Sequence, residues 1–253
     1  MEKETLYVAF STQKGGVGKT AFTVIAASYL HYVTGKNVAV VDCDFPQHSI
    51  NAMRKRDAEQ IGSDEYYKRM AYQQFKALNK KAYPILCSKP EKAVDTADEF
   101  LETTGEKTDV IFFDLPGTVG NAGVLKSIAN MDYIFTPIIA DRIVLESCLS
   151  FADAVHKNLV GKDGIRLKAL SLFWNKVDGR EKTDLYQLFE KAIGELGLPL
   201  MKTFIPDTKR YKKELSGEKK AVFRSTLFPA DKRLVKGSNL EELMNEILDT
   251  IKL

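Results

Sequence analysis

The residues most able to do chemistry lie near the N-terminus, where residues 14–20 read Lys-Gly-Gly-Val-Gly-Lys-Thr. This run departs from G-x-x-x-x-G-K-[ST], whose first glycine would fall at Gln13, and instead fits K-G-G-x-G-K-[ST]. Lys19 is placed to hold the β- and γ-phosphates of a nucleotide, and Thr20 supplies a hydroxyl for Mg²⁺. Nucleotide binding requires only one lysine in such a loop, so Lys14 is surplus and suggests a contact elsewhere. The backbone expected to face the phosphates belongs to Gly15, Gly16, Val17 and Gly18.

Three aspartates end apolar segments, and their carboxylates could serve the same chemistry. Asp42 follows the apolar residues 38–41, Asp44 lies two positions later, and Asp114 follows residues 110–113. Side chains two positions apart on an extended chain point the same way, so Asp42 and Asp44 can face one site. One carboxylate can hold the water shell of Mg²⁺ while another orients an attacking water, as phosphoryl transfer to water requires.

Apolar segments of strand length alternate with helical segments, which predicts βα units and a mainly parallel sheet. No linker or internal repeat divides residues 1–253, so we expect one α/β domain. Ser238 and Glu241 predict a capping box at the start of the last helix. Strands are predicted at 6–10, 38–42, 85–86, 110–114, 133–136, 170–174 and 203–205, and helices at 20–33, within 51–81, and at 90–103, 145–160 and 182–196.

The composition is that of a soluble globular protein. The chain has 253 residues, of which 44% are hydrophobic and 28% are charged. No stretch reaches the roughly 18 apolar residues that a membrane helix needs, and no secretory signal is recognisable. Three dispersed cysteines fit a reducing compartment, and the acidic polar face of the last helix would be repelled by anionic lipid. We therefore expect a cytoplasmic protein without a membrane partner.

Basic residues are concentrated in one segment of the C-terminal third. Residues 202–236 contain eleven Lys or Arg and four Asp or Glu, a local charge of +7 against +3 for the whole chain. A solvated charged face is one interpretation, and non-specific binding of DNA through its phosphates is the other. The predicted DNA contacts lie in a helix after Pro206 and beyond it, and are Lys209, Arg210, Lys212, Lys213, Lys219, Lys220 and Arg224.

Taken together, these motifs resemble the ParA/MinD family of deviant-Walker-A ATPases. The resemblance rests on residues 13–20, on Asp-x-Asp followed by Pro46-Gln47, on Asp114-Leu-Pro-Gly and on residues 204–206. Gln13 and Pro46-Gln47 look more like ParA, the DNA-partitioning branch, and the chain looks close to the ParA-like TraA proteins of conjugative transposons. The resemblance implies a P-loop NTPase fold with one doubly wound, mainly parallel sheet and helices on both faces.

The resemblance also implies roles for individual residues. Lys14 would cross a homodimer that encloses ATP and contact the partner's phosphates, and Lys19 and Thr20 would serve ATP and Mg²⁺ within one subunit. Asp44 would position the hydrolytic water. An ATPase-stimulating partner protein and a role in partitioning, maintenance or conjugative transfer of a mobile element are implied as well. The remaining ligands implied are Asp42 and Asp114 for the Mg²⁺ shell and Ala21, Asn175, Pro206 and Asp207 for the nucleotide.

Three positions depart from the family pattern. Family members usually have a second Thr where this chain has Ala21, and an Asn where it has Ile25. Phe45 is inserted between the Asp-x-Asp segment and Pro46-Gln47. A hydroxyl that bonds phosphate contributes about 1 kcal/mol, so its absence at Ala21 predicts weaker phosphate binding, and we expect hydrolysis to be weak rather than vigorous.

Four other interpretations compete with this one. Residues 175–178 read Asn-Lys-Val-Asp, the N-K-x-D of guanine-specific GTPases, although the remaining motifs favour ATP. A ligase or synthetase that activates a small molecule with ATP could share the fold. An iron–sulfur reductase would need cysteines near Asp114, and residues 115–135 contain none. The acidic last helix disfavours a membrane oscillator of the MinD kind.

Overall fold

Six parallel strands form the central sheet of the computed structural model, which describes residues 4–105, 107–117, 122–180, 183–216 and 220–253. Their order is β3-β2-β4-β1-β5-β6, so β2 and β3 lie on one side of β1, β5 and β6 lie on the other, and β4 is inserted between β1 and β2. Short apolar runs suit these positions because an all-parallel sheet is covered on both faces. The strands are β1 (Leu6–Phe10), β2 (Val38–Asp42), β3 (Ile85–Cys87), β4 (Val110–Asp114), β5 (Tyr133–Ile138) and β6 (Ala169–Trp174).

Helices connect the strands and cover the sheet. The first, α1 (Lys19–Tyr32), is buried almost all round, as its small and apolar residues predict, and Gly35 follows it with φ of +74°. Short 3₁₀ turns lie at Pro90–Lys92 and Lys209–Lys212. The other helices are α2 (Ser49–Ser63), α3 (Glu65–Leu78), α4 (Ala93–Thr104), α5 (Ala122–Ala129), α6 (Arg142–Asn158), α7 (Thr183–Glu195), α8 (Lys232–Val235) and α9 (Leu240–Ile251).

The hydrophobic core has two layers, one on each face of the sheet. Phe10 and Phe173 face a layer formed with α1 and α9, where Leu243 is fully buried. Phe113 and Leu172 face the opposite layer, formed with α4, α5 and α6. Alternate residues of each strand therefore enter different layers, as the period of two requires. The predicted doubly wound sheet with helices on both faces is confirmed.

The predicted strand at 203–205 is wrong. Isolated bridges pair Leu200 with Leu172 and Pro206 with Val177, but no strand is assigned between them. The backbone N–H groups of Lys202 and Thr203 instead donate to the Glu246 carboxylate of α9, at 2.7 and 2.9 Å. The Glu246 carboxylate thus accepts hydrogen bonds from backbone N–H groups that, in a strand, would be available to a neighbouring strand.

The predicted capping box at Ser238 and Glu241 is also wrong. The Ser238 hydroxyl donates to the Val235 carbonyl at 2.6 Å, and Asn239 precedes α9 in a left-handed conformation with φ of +58°. The chain turns sharply before α9, so Ser238 binds the end of α8 rather than the N–H of Glu241. No helix in the part of the chain that the structure describes is long and apolar enough to span a membrane.

Candidate nucleotide site

The phosphate-binding loop joins the carboxyl end of β1 to the amino end of α1. Gly16 and Gly18 adopt φ of +75° and +106°, conformations that L side chains rarely accept. Gly18 is also closely packed, because a Cβ there would lie 3.1 Å from both Asn175 Nδ2 and Phe22 Cε2. The sequence therefore needs glycine at Gly18 for two reasons, backbone conformation and space.

The end of β6 holds the loop from one side. Asn175 Nδ2 donates to the Val17 carbonyl and Lys176 Nζ to the Gly16 carbonyl, both at 2.8 Å. Lys176 itself has a left-handed φ of +55°. These bonds fix the Gly16 and Val17 carbonyls against the end of β6, and the backbone N–H groups of such a loop can bind an anion.

Lys19 folds back along the loop, and its Nζ donates to the Lys14 carbonyl at 2.8 Å. Burial lowers the pKa of Lys19, and the charges of Asp114 and Asp44 partly offset this. Gly117 leaves room for the ammonium, because a Cβ at that position would lie 3.0 Å from Lys19 Nζ. A desolvated cation beside a nest of loop amides is well suited to bind phosphate.

Asp114 lies fully buried behind the loop at the end of β4. The Thr20 hydroxyl donates to its two oxygens at 2.8 and 3.1 Å. Burial raises the pKa of Asp114 to about 7, and the nearby charges of Asp42 and Asp44 contribute in the same direction. The three predicted carboxylates therefore lie close enough to influence one another, as the strand register, which pairs Asp42 with Asp114, requires.

Asp42 is buried, and its carboxylate binds the amino end of α2. Asp42 Oδ2 accepts the backbone N–H groups of Ile50 and Asn51 at 2.9 and 3.0 Å, at the amino end of α2. His48 Nδ1 donates to the Asp42 carbonyl at 3.1 Å. Asp42 therefore anchors α2 through Oδ2 while Oδ1 accepts the Asp44 N–H at 3.4 Å, and the sequence did not predict the contact with α2.

Asp44 is half-buried just beyond β2, and its Oδ2 accepts a hydrogen bond from the Ser49 hydroxyl at 2.9 Å. The inserted Phe45 is 54% exposed, and Lys89 Nζ lies 5.0 Å from its ring. The Phe45–Pro46 peptide is cis. The insertion therefore places an aromatic ring at the surface next to Asp44.

The donor set at this edge of the sheet fits Mg²⁺. Thr20 provides a hydroxyl and Asp114 a buried carboxylate, the oxygen ligands that this ion prefers. Within the described ranges, no three His, Cys, Asp or Glu side chains surround a common metal position. Mg²⁺ usually keeps several of its waters and is bound through one or two carboxylates, so Thr20 and Asp114 would be suitable ligands.

A cavity of about 360 Å³ opens beside the loop. Asn175, Pro206 and Asp207, which the sequence associated with the base, all line it together with Gly16, Gly18 and Ala21. Six further residues that line the cavity had not been predicted from the sequence as nucleotide contacts. The N-K-x-D match contained Lys176, but no local pattern singled out the others. These six are Phe22, Lys176, Thr208, Tyr211, Lys212 and Arg224.

Asp178, the last residue of the N-K-x-D match, does not line this cavity. Its carboxylate accepts Arg180 Nε and NH2 at 3.0 and 2.8 Å, and these hydrogen bonds lower the pKa of Asp178 to about 2. A carboxylate that reads guanine must instead accept from the amino edge of the base. The arrangement thus favours a base other than guanine.

The predicted DNA contacts divide into paired and unpaired groups. Arg210 donates to the carbonyls of Leu234 and Lys236, at 3.2 and 2.6 Å, and so joins the 3₁₀ turn to α8. Other members form ion pairs or stay exposed: Lys220 pairs with Asp64, Arg224 pairs with Glu214, Lys209 and Lys212 are exposed, Lys213 is half-buried, and Lys219 lies outside the described residues. The predicted helix at 209–213 is a 3₁₀ turn over Lys209–Lys212.

The sequence profile of the CobQ/CobB/MinD/ParA nucleotide-binding domain family (CbiA) matches residues 8–221. The chain belongs to this family. Membership agrees with the phosphate loop, the carboxylates at the strand ends and the cavity beside them. No curated protein sequence matches the chain.

Solved structures share the fold at low sequence identity. A plasmid partition protein of Borrelia burgdorferi B31 bound to AMPPNP is 17% identical, with a TM-score of 0.60 over 98% of this chain and 100% of that one. The pNOB8 ParA bound to nonspecific DNA is 16% identical, with a TM-score of 0.57 over 98% and 99%. Cobyrinic acid a,c-diamide synthase of Mycobacterium smegmatis, with an ATP analogue and magnesium, is 19% identical, with a TM-score of 0.51 over 85% and 88%. The predicted P-loop NTPase fold is confirmed.

Proposed function

We propose that the chain is a Mg²⁺-dependent ATPase of the ParA kind, whose ATP-bound form dimerises and binds DNA. The observation that carries this proposal is the cavity that opens directly beside the phosphate loop, between Ala21 and Pro206. Base and ribose would occupy the cavity while the triphosphate lies along the loop. Two structural neighbours that hold ATP analogues support adenine as the base.

The residues of the site would divide the work of hydrolysis. Lys19 would leave the Lys14 carbonyl for the β- and γ-phosphates, whose charge is then neutralised in a desolvated setting. Thr20 and Asp114 would hold Mg²⁺, which neutralises the charge that develops on the phosphates. Asp44, half-buried at the edge of the site, would orient the attacking water. Ala21 offers no hydroxyl to phosphate, so we expect slow hydrolysis that a partner protein stimulates.

The choice of base is tested by competition between nucleotides. We expect Mg-ATP to displace a fluorescent ATP analogue at least tenfold more effectively than Mg-GTP. Asp178 already accepts from Arg180, so the amino edge of guanine would have to compete with these hydrogen bonds for that carboxylate. Preference for GTP would replace the ATPase assignment with a GTPase.

Lys14 supports the dimer. Its carbonyl accepts from Lys19, but its own ammonium makes no hydrogen bond or salt bridge to any residue in the described ranges. The side chain is half-buried at the mouth of the loop. A cation so close to the site and not needed by its own loop would serve phosphates bound to a second copy of the chain.

Light scattering after size exclusion tests the dimer directly. Wild-type protein with Mg-ATP should have twice the mass that it has with ADP or without nucleotide. Lys14→Ala should remain monomeric with Mg-ATP and still bind the nucleotide, because Lys19 and Thr20 are intact. Lys162→Ala, which removes an exposed lysine far along the chain, should dimerise normally. A wild type that stays monomeric with ATP would contradict the proposal.

The basic segment supports binding of DNA. Lys209 on the 3₁₀ turn is exposed and Lys213 is half-buried, and neither side chain has a hydrogen-bond partner in the described ranges. Binding through such cations releases counterions, so affinity should fall at least tenfold between 50 and about 200 mM salt. Affinity for duplex DNA that does not change with salt would refute this part. Such binding, together with the ParA neighbour that was solved on DNA, supports a nucleoid-associated role in partitioning, maintenance or conjugative transfer of a mobile element.

A further inference from the structure

We infer that Lys212 and Arg224 are nucleotide-binding residues, which form a basic wall of the base and ribose cavity rather than contacts to DNA. Both side chains line the cavity, together with Gly16 and Gly18 of the loop. This inference rests on the proposed nucleotide site and adds two residues to it. It also removes two of the seven residues that charge alone had assigned to DNA.

Arg224 is held in place but only partly used. Its backbone N–H donates to the Lys213 carbonyl at 2.9 Å, and its NH2 donates to Glu214 Oε1 at 2.6 Å. Its Nε is buried and has no partner in the described ranges. A guanidinium has five donors in a fixed plane, so Arg224 can keep Glu214 and still offer its other terminal N–H groups, rather than the buried Nε, to an anion in the cavity.

Lys212 reaches the cavity because the 3₁₀ turn that carries it is anchored on both sides. The Tyr211 hydroxyl donates to the Ser238 carbonyl at 2.8 Å, and the Tyr211 ring lies 4.4 Å from that of Phe223. Lys209 sits on the same turn but does not line the cavity. The turn therefore separates two exposed lysines, one toward the nucleotide and one away from it.

The charges around the cavity suit an anionic ligand. Lys176, Lys212 and Arg224 line it, against one acid, Asp207. Lys176 donates to the Gly16 carbonyl and Arg224 pairs with Glu214, whereas the Lys212 ammonium has no hydrogen-bond partner within the described ranges. Phe22 and Tyr211 supply ring surface in the same cavity. A nucleotide, which combines a flat base with a charged sugar–phosphate edge, matches both features.

Titration of the full chain with Mg-AMPPNP in the absence of DNA tests the inference. Lys212→Ala should weaken binding about threefold, as expected for an exposed ion pair, and Arg224→Ala about tenfold or more, as expected for a charge-assisted hydrogen bond. Lys209→Ala should change the nucleotide Kd less than twofold but should lower affinity for duplex DNA. Loss of DNA affinity in Lys212→Ala and Arg224→Ala with an unchanged nucleotide Kd would overturn the inference.

Glu214→Gln separates a direct role of Arg224 from a structural one. If Arg224 acts on the nucleotide, releasing it from Glu214 should leave the Kd unchanged or tighten it. If Arg224 only supports the fold through that ion pair, Glu214→Gln should weaken binding as much as Arg224→Ala does, and the inference fails. A wild type that does not bind Mg-AMPPNP at all would instead refute the proposed ATPase.

Discussion

Replacing Gly18 by alanine tests how the loop is built. Gly18 has φ of +106°, and a non-glycine residue in a left-handed conformation costs about 1–2 kcal/mol. The new Cβ would lie 3.1 Å from Asn175 Nδ2 and from Phe22 Cε2. Phe22 cannot move freely because it packs against Phe173 at 5.0 Å between ring centroids, so overpacking adds about 1–3 kcal/mol. We expect Gly18→Ala to lower the free energy of unfolding by about 2–5 kcal/mol.

Gly35→Ala is the matched control, because Gly35 also has a left-handed φ, +74°, but nothing lies within 4 Å of its Cβ position. It should lose only the backbone contribution, about 1–2 kcal/mol, in urea unfolding. Gly18→Ala should also weaken Mg-AMPPNP binding about fivefold, because the shift of Asn175 disturbs its hydrogen bond to Val17, which contributes about 1 kcal/mol. Equal losses of stability in the two variants, with unchanged nucleotide affinity in both, would refute this reasoning.

Three further predictions concern stability. Burial raises the pKa of Asp57, so the folded chain binds the proton of this carboxyl more tightly than the unfolded chain does, and stability falls as the pH rises above the ordinary value of 3.8. The urea midpoint of Asp57→Asn minus that of wild type should therefore be larger at pH 8 than at pH 4. An equal difference at the two pH values would contradict this. Phe10→Ala should cost about 3–5 kcal/mol in the same assay, because Phe10 is fully buried among four aromatic rings; a loss below about 1 kcal/mol would show that the core collapses around it. Glu246→Ala should cost about 1–3 kcal/mol by leaving the N–H groups of Lys202 and Thr203 without their acceptor, and faster amide exchange at those two residues is the check.

The phosphate loop could be predicted because its chemistry is local. Closely spaced glycines and Lys19 are needed wherever backbone amides and a cation must surround phosphate, and the spacing itself carries that requirement. Asp42 and Asp114 were also predictable, since both end apolar strands that a parallel sheet brings to one edge. Continuous apolar runs were sufficient to predict β1, β2, β4, β5 and β6 because these strands are buried on both faces, whereas the short edge strand β3 is only partly buried.

The wrong strand prediction arose where a distant residue decided the outcome. Residues 203–205 are apolar enough for a strand, but Glu246 takes the backbone donors at 202 and 203. Asp42 stays a predicted ligand for Mg²⁺, and its additional contacts with Ile50 and Asn51 could not be foreseen because they depend on how α2 turns back onto the end of β2. The contact of Glu246 with residues 202 and 203 joins segments that are far apart in the sequence, which no local pattern contains.

The basic segment shows most clearly what the sequence determines and what the tertiary structure decides. Its composition determined that residues 202–236 carry a strong positive charge, which favours an anionic partner. Only the tertiary structure decided that Lys212 and Arg224 line the cavity beside the phosphate loop while Lys209 on the same turn does not. The physical reason is that charge is a property of composition, whereas the direction of a side chain depends on how its turn is anchored, here through Tyr211 and Ser238.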